Sequence, residues 1–230
     1  VRGRMPLLTS YNLNRAKFEI LNEGSSFQMS GNSLLLIDRN GPASNIFGDI
    51  YLAPASASVT GGEIRVGTSG TASNTLFEIN SNTALWNLTV DGTTTSKTLR
   101  LLGNPIQIQK NLQVLGSSIF NANALDVSLG GNLLVENPSA SVGLNVGGYQ
   151  VISANQVTTF NGTTASQSIT GNAGNLINFA NLTLNNTFPS GALNLASGTN
   201  IQVNKNLSLI NAGFNTGANQ VTVLGNVINN

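Results

Sequence analysis

Short segments in which apolar and polar residues alternate recur along the whole chain, as in Leu112-Gln113-Val114 and Ile201-Gln202-Val203. Alternation with a period of two is the pattern of a β-strand that buries one face. Gly, Asn, Pro or Ser follows most of these segments, and such residues end strands and accept turn conformations. No segment has convincing helical spacing, so the pattern predicts an all-β fold. The predicted strands are Phe18–Ile20, Phe27–Met29, Leu34–Ile37, Ile50–Leu52, Glu63–Val66, Leu76–Ile79, Leu88–Val90, Ile106–Ile108, Leu112–Val114, Leu125–Val127, Ile201–Val203, Leu207–Leu209 and Val221–Val223.

The second half of the chain repeats part of the first half at a nearly constant offset. Ile106–Leu115 matches Ile201–Ile210 at an offset of 95 residues. Asn87–Val90 matches Asn181–Leu184 at an offset of 94. Gly131–Leu133 matches Gly225–Val227, again at 94. Self-similarity at a fixed period is typical of repeat architectures.

A shorter period lies inside the long one and is marked by Asn before a branched apolar residue. The intervals between these asparagines are 24 and 21 residues in the first copy and 25 and 20 in the second, and Asn155 fills the gap between copies approximately. Such spacing favours a right-handed parallel β-helix of about ten coils of 20–26 residues. The asparagines predicted to form a structural ladder at its corners are Asn87, Asn111, Asn132, Asn181, Asn206 and Asn226.

Composition agrees with stacked coils. Charged residues make up 8% of the chain, against about 25% in ordinary soluble domains. Identical charges on neighbouring rungs would lie about 4.8 Å apart and repel one another, whereas Asn amides at that spacing can form a hydrogen-bonded ladder. Asn also tolerates the left-handed conformation that a corner requires. The 40% of hydrophobic residues is sufficient for a core.

We expect residues 1–230 to form one β-solenoid segment. Residues 1–80 read as less regular coils, and 81–136 and 175–230 are two copies of the super-repeat of roughly 95 residues. The competing fold is two immunoglobulin-like sandwiches, which the intervals of 20–26 residues and the lack of typical Trp or Tyr corner residues argue against. The abrupt ends and the missing initiator Met indicate a piece of a longer chain. No apolar run reaches the roughly 18 residues that a membrane span needs.

The residue inventory excludes several kinds of chemistry. The chain has no His and no Cys, which removes the usual general base, the thiol nucleophile and most zinc sites. A net charge of +1 without a basic face gives no basis for nucleic-acid binding. We therefore predict a protein that is not an enzyme, with no catalytic, cofactor-binding or metal-binding residues and no cofactor. The remaining carboxylates form no recurrent motif: Glu19, Glu23, Asp38, Asp49, Glu63, Glu78, Asp91, Asp126 and Glu136.

Several segments carry a family resemblance. They are Thr159–Gly162 through Gln167–Gly171, then Phe179–Asn186, and also Phe27–Leu34. These resemble the repeats of very large Bacteroidota cell-surface proteins exported by the type IX secretion system, which include gliding-motility adhesins. The resemblance covers most of the chain as a pattern and brings no catalytic motif. It implies an extracellular, surface-anchored role, with the export signal in a C-terminal domain outside these residues.

The expected function is a structural or adhesive extracellular module of a large secreted or surface-anchored bacterial protein. Its expected partners are surface polysaccharide, the secretion or anchoring machinery, and adjoining repeats of its own chain, with no nucleic acid. Two alternatives come from other classes. One is a carbohydrate-active β-helix, a polysaccharide lyase or hydrolase, which needs two carboxylates on adjacent coils. The other is a solenoid that binds ice or a crystalline polymer, which needs aligned outward Thr pairs.

Overall fold

The computed structural model describes residues 17–41 and 46–229, and the described residues form strands, turns and bends without a helix. Most of the strands are three to five residues long, because Gly, Asn or Ser interrupts each apolar alternation. Their bounds are β1 Phe18–Ile20, β2 Ser26–Met29, β3 Leu34–Ile37, β4 Ile50–Leu52, β5 Ser56–Val59, β6 Glu63–Val66, β7 Thr75–Ser81, β8 Asn87–Gly92, β9 Lys97–Leu101, β10 Ile106–Ile108, β11 Leu112–Gly116, β12 Ile119–Asn121, β13 Val127–Leu129, β14 Leu133–Val135, β15 Tyr149–Gln150, β16 Val157–Phe160, β17 Gln167–Gly171, β18 Leu176–Phe179, β19 Asn181–Leu184, β20 Ala192–Leu195, β21 Asn200–Val203, β22 Leu207–Leu209, β23 Gly213–Asn215, β24 Val221–Val223 and β25 Val227–Asn229.

The strands lie in five sheets, and all the pairings between these strands are parallel. Parallel neighbours cannot be joined by a tight hairpin, so the chain leaves each sheet and returns to it later. The sheets are A (β1-β4-β7-β9-β12-β15), B (β2-β5), C (β3-β6-β8-β11-β14-β17-β20-β23), D (β10-β13-β16-β19-β22-β25) and E (β18-β21-β24).

The chain visits these sheets in a fixed order. From β10 to β25 a strand of sheet D is followed by one of sheet C and then by one of sheet A or E. Residues that pair across neighbouring strands are separated by 20 residues at Leu207 and Val227, and by 24 at Leu88 and Leu112. The separation reaches 36 residues between Leu133 and Ile169. These features are those of a parallel β-solenoid or a similar stacked all-β fold.

The core is built from like residues stacked in columns. In sheet C, Leu88, Leu112, Leu133 and Ile169 occupy successive strands at one register position, and none is exposed to solvent. Complete burial of such a side chain stabilises the folded state by about 1.5–3 kcal/mol. Gln113 and Thr170, which follow Leu112 and Ile169, are partly exposed, so the alternation in the sequence becomes the two faces of a sheet.

Sheet A contributes an inward column that contains aromatic rings. Leu99, Phe120 and Tyr149 follow one another in register and are buried. The rings of Phe120 and Tyr149 are stacked with centroids 5.7 Å apart, and Phe179 lies 5.5 Å beyond Tyr149. These aromatic side chains fill the interior beside β12, β15 and β18.

Seven of the thirteen predicted strands have the bounds that the structure shows, five differ by one or two residues at an end, and one is misplaced. The sequence placed a strand at Leu125–Val127, whereas β13 begins at Val127. Asn123 and Ala124 have φ angles of +50° and +67°, and the Leu125 amide donates to Ala122 O. This turn holds Leu125 outside the ladder. Within residues 17–41 and 46–229, no helix is long and apolar enough to cross a membrane.

Candidate functional site

The predicted asparagines lie at the starts of strands in two sheets. Asn87, Asn111 and Asn132 form one column in sheet C, which we call the C column. Asn87 Oδ1 accepts the backbone N–H of Asn111 at 3.1 Å, and Asn111 Oδ1 accepts that of Asn132 at 3.0 Å. Each side chain therefore bonds the next strand of the stack at the point where the regular ladder begins.

Asn181, Asn206 and Asn226 form the corresponding column in sheet D, which we call the D column. The backbone N–H of Asn206 donates to Asn181 Oδ1 at 3.3 Å, and that of Asn226 donates to Asn206 Oδ1 at 3.4 Å. Asn226 Nδ2 also donates to Asn206 Oδ1 at 3.4 Å. Most contacts in both columns therefore join a side-chain oxygen to a backbone amide.

The six asparagines consequently do not share one corner. The offset of 94–95 residues relates β11 of sheet C to β22 of sheet D, which are strands of different sheets. The two corners share a local requirement, an acceptor that reaches the N–H of the next strand, and the same Asn-Leu motif meets it in both. A buried or half-buried amide needs such a partner, since leaving it unpaired costs about 1–3 kcal/mol.

The C column continues through residues that the sequence motif did not identify. Ser168 follows Asn132 in register, and its N–H donates to Asn132 Oδ1 at 2.8 Å. Asn194 and Asn215 come next, joined by a bond of 3.2 Å from Asn215 Nδ2 to Asn194 Oδ1. The repeat interval did not identify these residues, because Leu133 and Ile169 are 36 residues apart and the expected coil length is 20–26 residues.

Asn155 and Asp126 occupy positions that the repeat spacing did not predict. Asn155 belongs to neither column, and its Oδ1 accepts a bond from Lys205 Nζ at 2.9 Å. Asp126 holds the D-column position beside Val157, where its Oδ1 accepts the Val157 N–H at 2.8 Å. A carboxylate thus makes the same contact there that an Asn amide makes elsewhere in the column.

An open groove of about 570 Å³ lies beside the first three strands of sheet D. Its wall includes outward residues of β10, β13 and β16, namely Gln107, Ser128 and Thr159, which occupy one register position on successive strands. The segment after β7 forms another part of the wall. The full lining is Ser81, Asn82, Thr83, Ala84, Pro105, Ile106, Gln107, Asp126, Val127, Ser128, Val157, Thr159 and Asn161.

Several of the other carboxylates form ion pairs with arginines. Arg65 Nε lies 2.9 Å from Glu63 Oε1, and Arg65 Nη1 lies 3.7 Å from Asp91 Oδ2. Arg100 Nε donates to Glu78 Oε1 at 3.0 Å. None of these residues lines the groove. These carboxylates therefore form ion pairs with arginines of the chain itself, within β6 for Glu63 and between adjacent strands for Asp91 and Glu78.

Asp49 is a buried carboxylate that lies near a second buried acid, Glu78. Burial raises the pKa of Asp49, against the opposing effect of hydrogen bonds from the backbone amides of Gly41 and Glu78. The Glu78 amide donates to Asp49 Oδ2 at 2.8 Å. The two carboxyl groups thus sit on neighbouring strands, with Glu78 paired to Arg100.

A buried polar network crosses the interior beside the aromatic column. Tyr149 Oη and Thr158 Oγ1 are 2.8 Å apart, and Gln156 Nε2 donates to Thr158 Oγ1 at 3.2 Å. Burial raises the pKa of Tyr149 above its ordinary value. The hydroxyl therefore stays neutral at physiological pH and serves as a structural hydrogen-bonding group.

Trp86 lies immediately before Asn87, the first residue of the C column. The ring is partly buried and packs against the core, and Lys110 Nζ lies 5.3 Å from its centroid. This distance is within the range of a cation–π contact. The indole face is thus covered by a side chain of the protein itself.

Among the described residues, no group of three or more acidic side chains is arranged to hold a metal ion. The features that stand out are the two polar columns and the groove beside sheet D. Comparisons with protein-family models, with curated proteins and with solved structures return no match for this chain.

Proposed function

We propose that this chain is a non-catalytic structural and adhesive module of a large extracellular bacterial protein. In this proposal it is a right-handed parallel β-solenoid of about ten coils, and its partners are adjoining repeats, surface polysaccharide and the secretion or anchoring machinery. The resemblance to Bacteroidota type IX cargo proteins supports the location. The gliding-adhesin association is part of the same proposal.

One observation carries the proposal: like residues stack on like residues through consecutive parallel strands. Apolar columns fill the interior, and neutral Asn and Ser residues form the column at the edge of sheet C. Each strand contacts mainly its neighbours in the stack, so stability is distributed along the length of the chain. A protein built in this way can bear load or present a long surface.

The charge distribution supports a non-catalytic role. Glu63, Asp91 and Glu78 are paired with arginines, and Asp126 already accepts a backbone N–H. A glycosidase mechanism needs one carboxyl group free to donate a proton and a second free to attack or to activate water. The pairing of these acids therefore favours a binding or structural role over hydrolysis.

Stretching single molecules tests the structural part of the proposal. A coil of about 24 residues releases at most about 86 Å when it is fully extended, at 3.3–3.6 Å per residue. We expect unfolding in several steps near this length, because each coil is held mainly by its neighbours. A single release of the whole chain would contradict the stacked-module proposal.

Antibody labelling tests the location. An epitope tag placed in the loop at residues 137–148 of the natural full-length protein should be accessible on intact cells. Labelling that requires permeabilised cells would contradict an extracellular role. Incubation with polysaccharides, followed by a reducing-end assay, should give no products. Release of oligosaccharides would contradict the non-catalytic assignment.

A further inference from the structure

We propose that the groove beside sheet D binds a neutral polysaccharide through side-chain hydroxyl, amide and carboxylate groups. This inference rests on the proposed adhesive function and adds a site and a ligand class to it. The groove has a volume of about 570 Å³ and is open to solvent. A volume of that order accommodates two or three sugar units of an extended polymer, because small-molecule sites are about 300–1,000 Å³.

Polar side chains in the groove have unused hydrogen-bonding capacity. Within the described part of the chain, the side chains of Asn82, Gln107, Ser128, Thr159 and Asn161 make no hydrogen bond to another residue. The columns differ in this respect, because their side-chain oxygens accept bonds from the next strand. The groove therefore offers donors and acceptors to a ligand, which suits the many hydroxyl groups of a sugar.

The residue type at the D-column position differs between the groove and the rest of sheet D. In the last three strands of sheet D this position is Asn, whereas in the first three it is Pro105, Asp126 and Val157. Asp126 is exposed, and one of its oxygens binds the Val157 N–H. The second oxygen makes no hydrogen bond to another described residue and can accept from a sugar hydroxyl, which gives a charge-assisted bond.

Charge in the groove selects against anionic polymers. Asp126 is the one ionisable side chain in the described lining, and no Lys or Arg accompanies it. A uronic-acid or sulfated polymer would meet an uncompensated negative charge there, and like charges in a shared site repel each other. A neutral polymer meets no such repulsion.

The main chain of the groove strands is not available to a peptide. β13 is paired with β10 and β16, and β16 is paired with β13 and β19. β10 is the edge strand of sheet D, and its outer edge is bonded to Leu85, which donates to Gln107 O and accepts the Gln109 N–H. A peptide therefore cannot add as a further strand at this place. The ligand must be recognised by outward side chains, which recur at one rung spacing of about 4.8 Å. A periodic surface of this kind fits a polymer with a repeating unit.

The apolar residues of the described lining are aliphatic. Ala84, Pro105 and Val157 can contact the C–H faces of sugar rings, but the described residues of the lining include no aromatic side chain. Binding without an aromatic platform is weak for one segment of polymer, and we expect a dissociation constant on the order of 1 mM. Repetition of modules along a long protein would raise the effective affinity.

Affinity electrophoresis tests the inference with soluble neutral polymers, namely a β-glucan, a mannan and a galactan, and with alginate as the anionic probe. We expect at least one neutral polymer to retard the protein and alginate to leave it unretarded. Ser128→Tyr should weaken binding by about tenfold or more, because the ring fills the middle of the groove. Ser208→Tyr is the matched control, since Ser208 lies at the same register position three strands further along sheet D.

Asp126→Asn tests the carboxylate separately. Its side-chain oxygen should still accept the Val157 N–H, so the thermal midpoint should stay within about 2 °C. Binding of the neutral polymer should weaken several-fold, because a neutral acceptor forms weaker hydrogen bonds than a charged one. Equal binding by wild type and Ser128→Tyr, retardation by alginate alone, or no retardation by any neutral polymer would overturn the inference.

Failure of this inference is distinguishable from failure of the proposed function. Absence of binding removes the groove site and leaves the extracellular module intact, which surface labelling tests independently. Binding accompanied by release of oligosaccharides keeps the site and refutes the non-catalytic role. Loss of binding in Ser208→Tyr as well as in Ser128→Tyr places the ligand elsewhere on sheet D and overturns the assignment to the groove.

Discussion

Replacing Asn111 by Ala tests what a column residue contributes to folding. Asn111 Oδ1 accepts the Asn132 N–H at 3.0 Å, and Asn111→Ala removes this acceptor. The backbone N–H of Asn111 keeps its bond of 3.1 Å to Asn87 Oδ1, because that bond does not involve the Asn111 side chain. The substitution thus deletes one contact between neighbouring strands and leaves the adjacent one in place.

The expected loss follows from the environment of that contact. A net hydrogen bond is worth about 0.5–1.5 kcal/mol, and an orphaned donor costs more when it is buried. Asn132 is exposed, so water can replace part of the lost acceptor. We therefore expect the free energy of unfolding to fall by about 1 kcal/mol. For a chain of this size, that lowers the thermal midpoint by about 2–4 °C.

Thermal and urea unfolding followed by circular dichroism measure this change. Asn111→Asp retains an acceptor oxygen, as Asp126 does at the D-column position, and should lose less than half as much stability. Asn145→Ala is the control, because Asn145 is exposed and makes no side-chain hydrogen bond to a described residue; its effect should be below about 0.5 kcal/mol. Equal effects of Asn111→Ala and Asn145→Ala would refute the assigned role of the column.

Three further substitutions probe the interior and one tight turn. Phe120→Ala should cost about 3–5 kcal/mol in urea unfolding, since Phe120 has no exposed surface and stacks on Tyr149; a cost below about 1 kcal/mol would mean that the column can collapse around the cavity. Tyr149→Phe should remove the loss of folding stability that Tyr149 causes at alkaline pH. Tyr ionises near pH 10 in the unfolded chain, whereas burial raises the folded pKa, so this residue's stabilisation is complete below pH 10 and falls by about 1.4 kcal/mol per pH unit above it. Urea midpoints between pH 8 and 11 measure this fall, and identical profiles for wild type and variant would contradict it. Gly116→Ala should cost several kcal/mol, well above the roughly 1–2 kcal/mol of left-handed strain, because its Cβ would lie 2.1 Å from Gly92 O. Gly24→Ala is the comparison in the same unfolding assay, because Gly24 has a φ of +73° and no atom of a described residue within 4 Å of the added Cβ, so that only the strain acts there.

The local elements of this fold are readable from the sequence, because each strand carries its own signal. Ile106–Ile108, Leu207–Leu209 and Val221–Val223 were predicted with the bounds that the structure has. Their alternation reflects one buried face, and this requirement acts within three residues. The parallel arrangement follows from the repeat, since coils of similar length bring like segments into register.

The assignment of strands to sheets could not be read in the same way. The matching segments around Leu112 and Leu207 belong to sheets C and D, because both corners accept the same Asn-Leu motif. A local sequence motif indicates the conformation of a corner but does not indicate the sheet to which that corner belongs. Strand Ser56–Val59 was missed because Ser and Ala carry little apolar signal.

Only part of the candidate site could be predicted from the sequence. Six asparagines were identified from spacing, but Ser168, Asn194 and Asn215 were not, since the long connection before β17 breaks the interval. The groove depends on which outward side chains lie on neighbouring strands. Asp126 and Asn82 come together there although they are 44 positions apart in the sequence.

The long connection between β14 and β17 has a consequence for how the protein can vary. Leu133 and Ile169 remain in register although the chain between them is 15 residues longer than between Leu112 and Leu133. Loop-closure entropy grows only logarithmically, so such an insertion costs less than about 0.6 kcal/mol. Connections at the corners can therefore lengthen or diversify while the stack keeps its order. Residues 137–148 are accordingly a place where new surface, natural or engineered, can be added without rebuilding the scaffold.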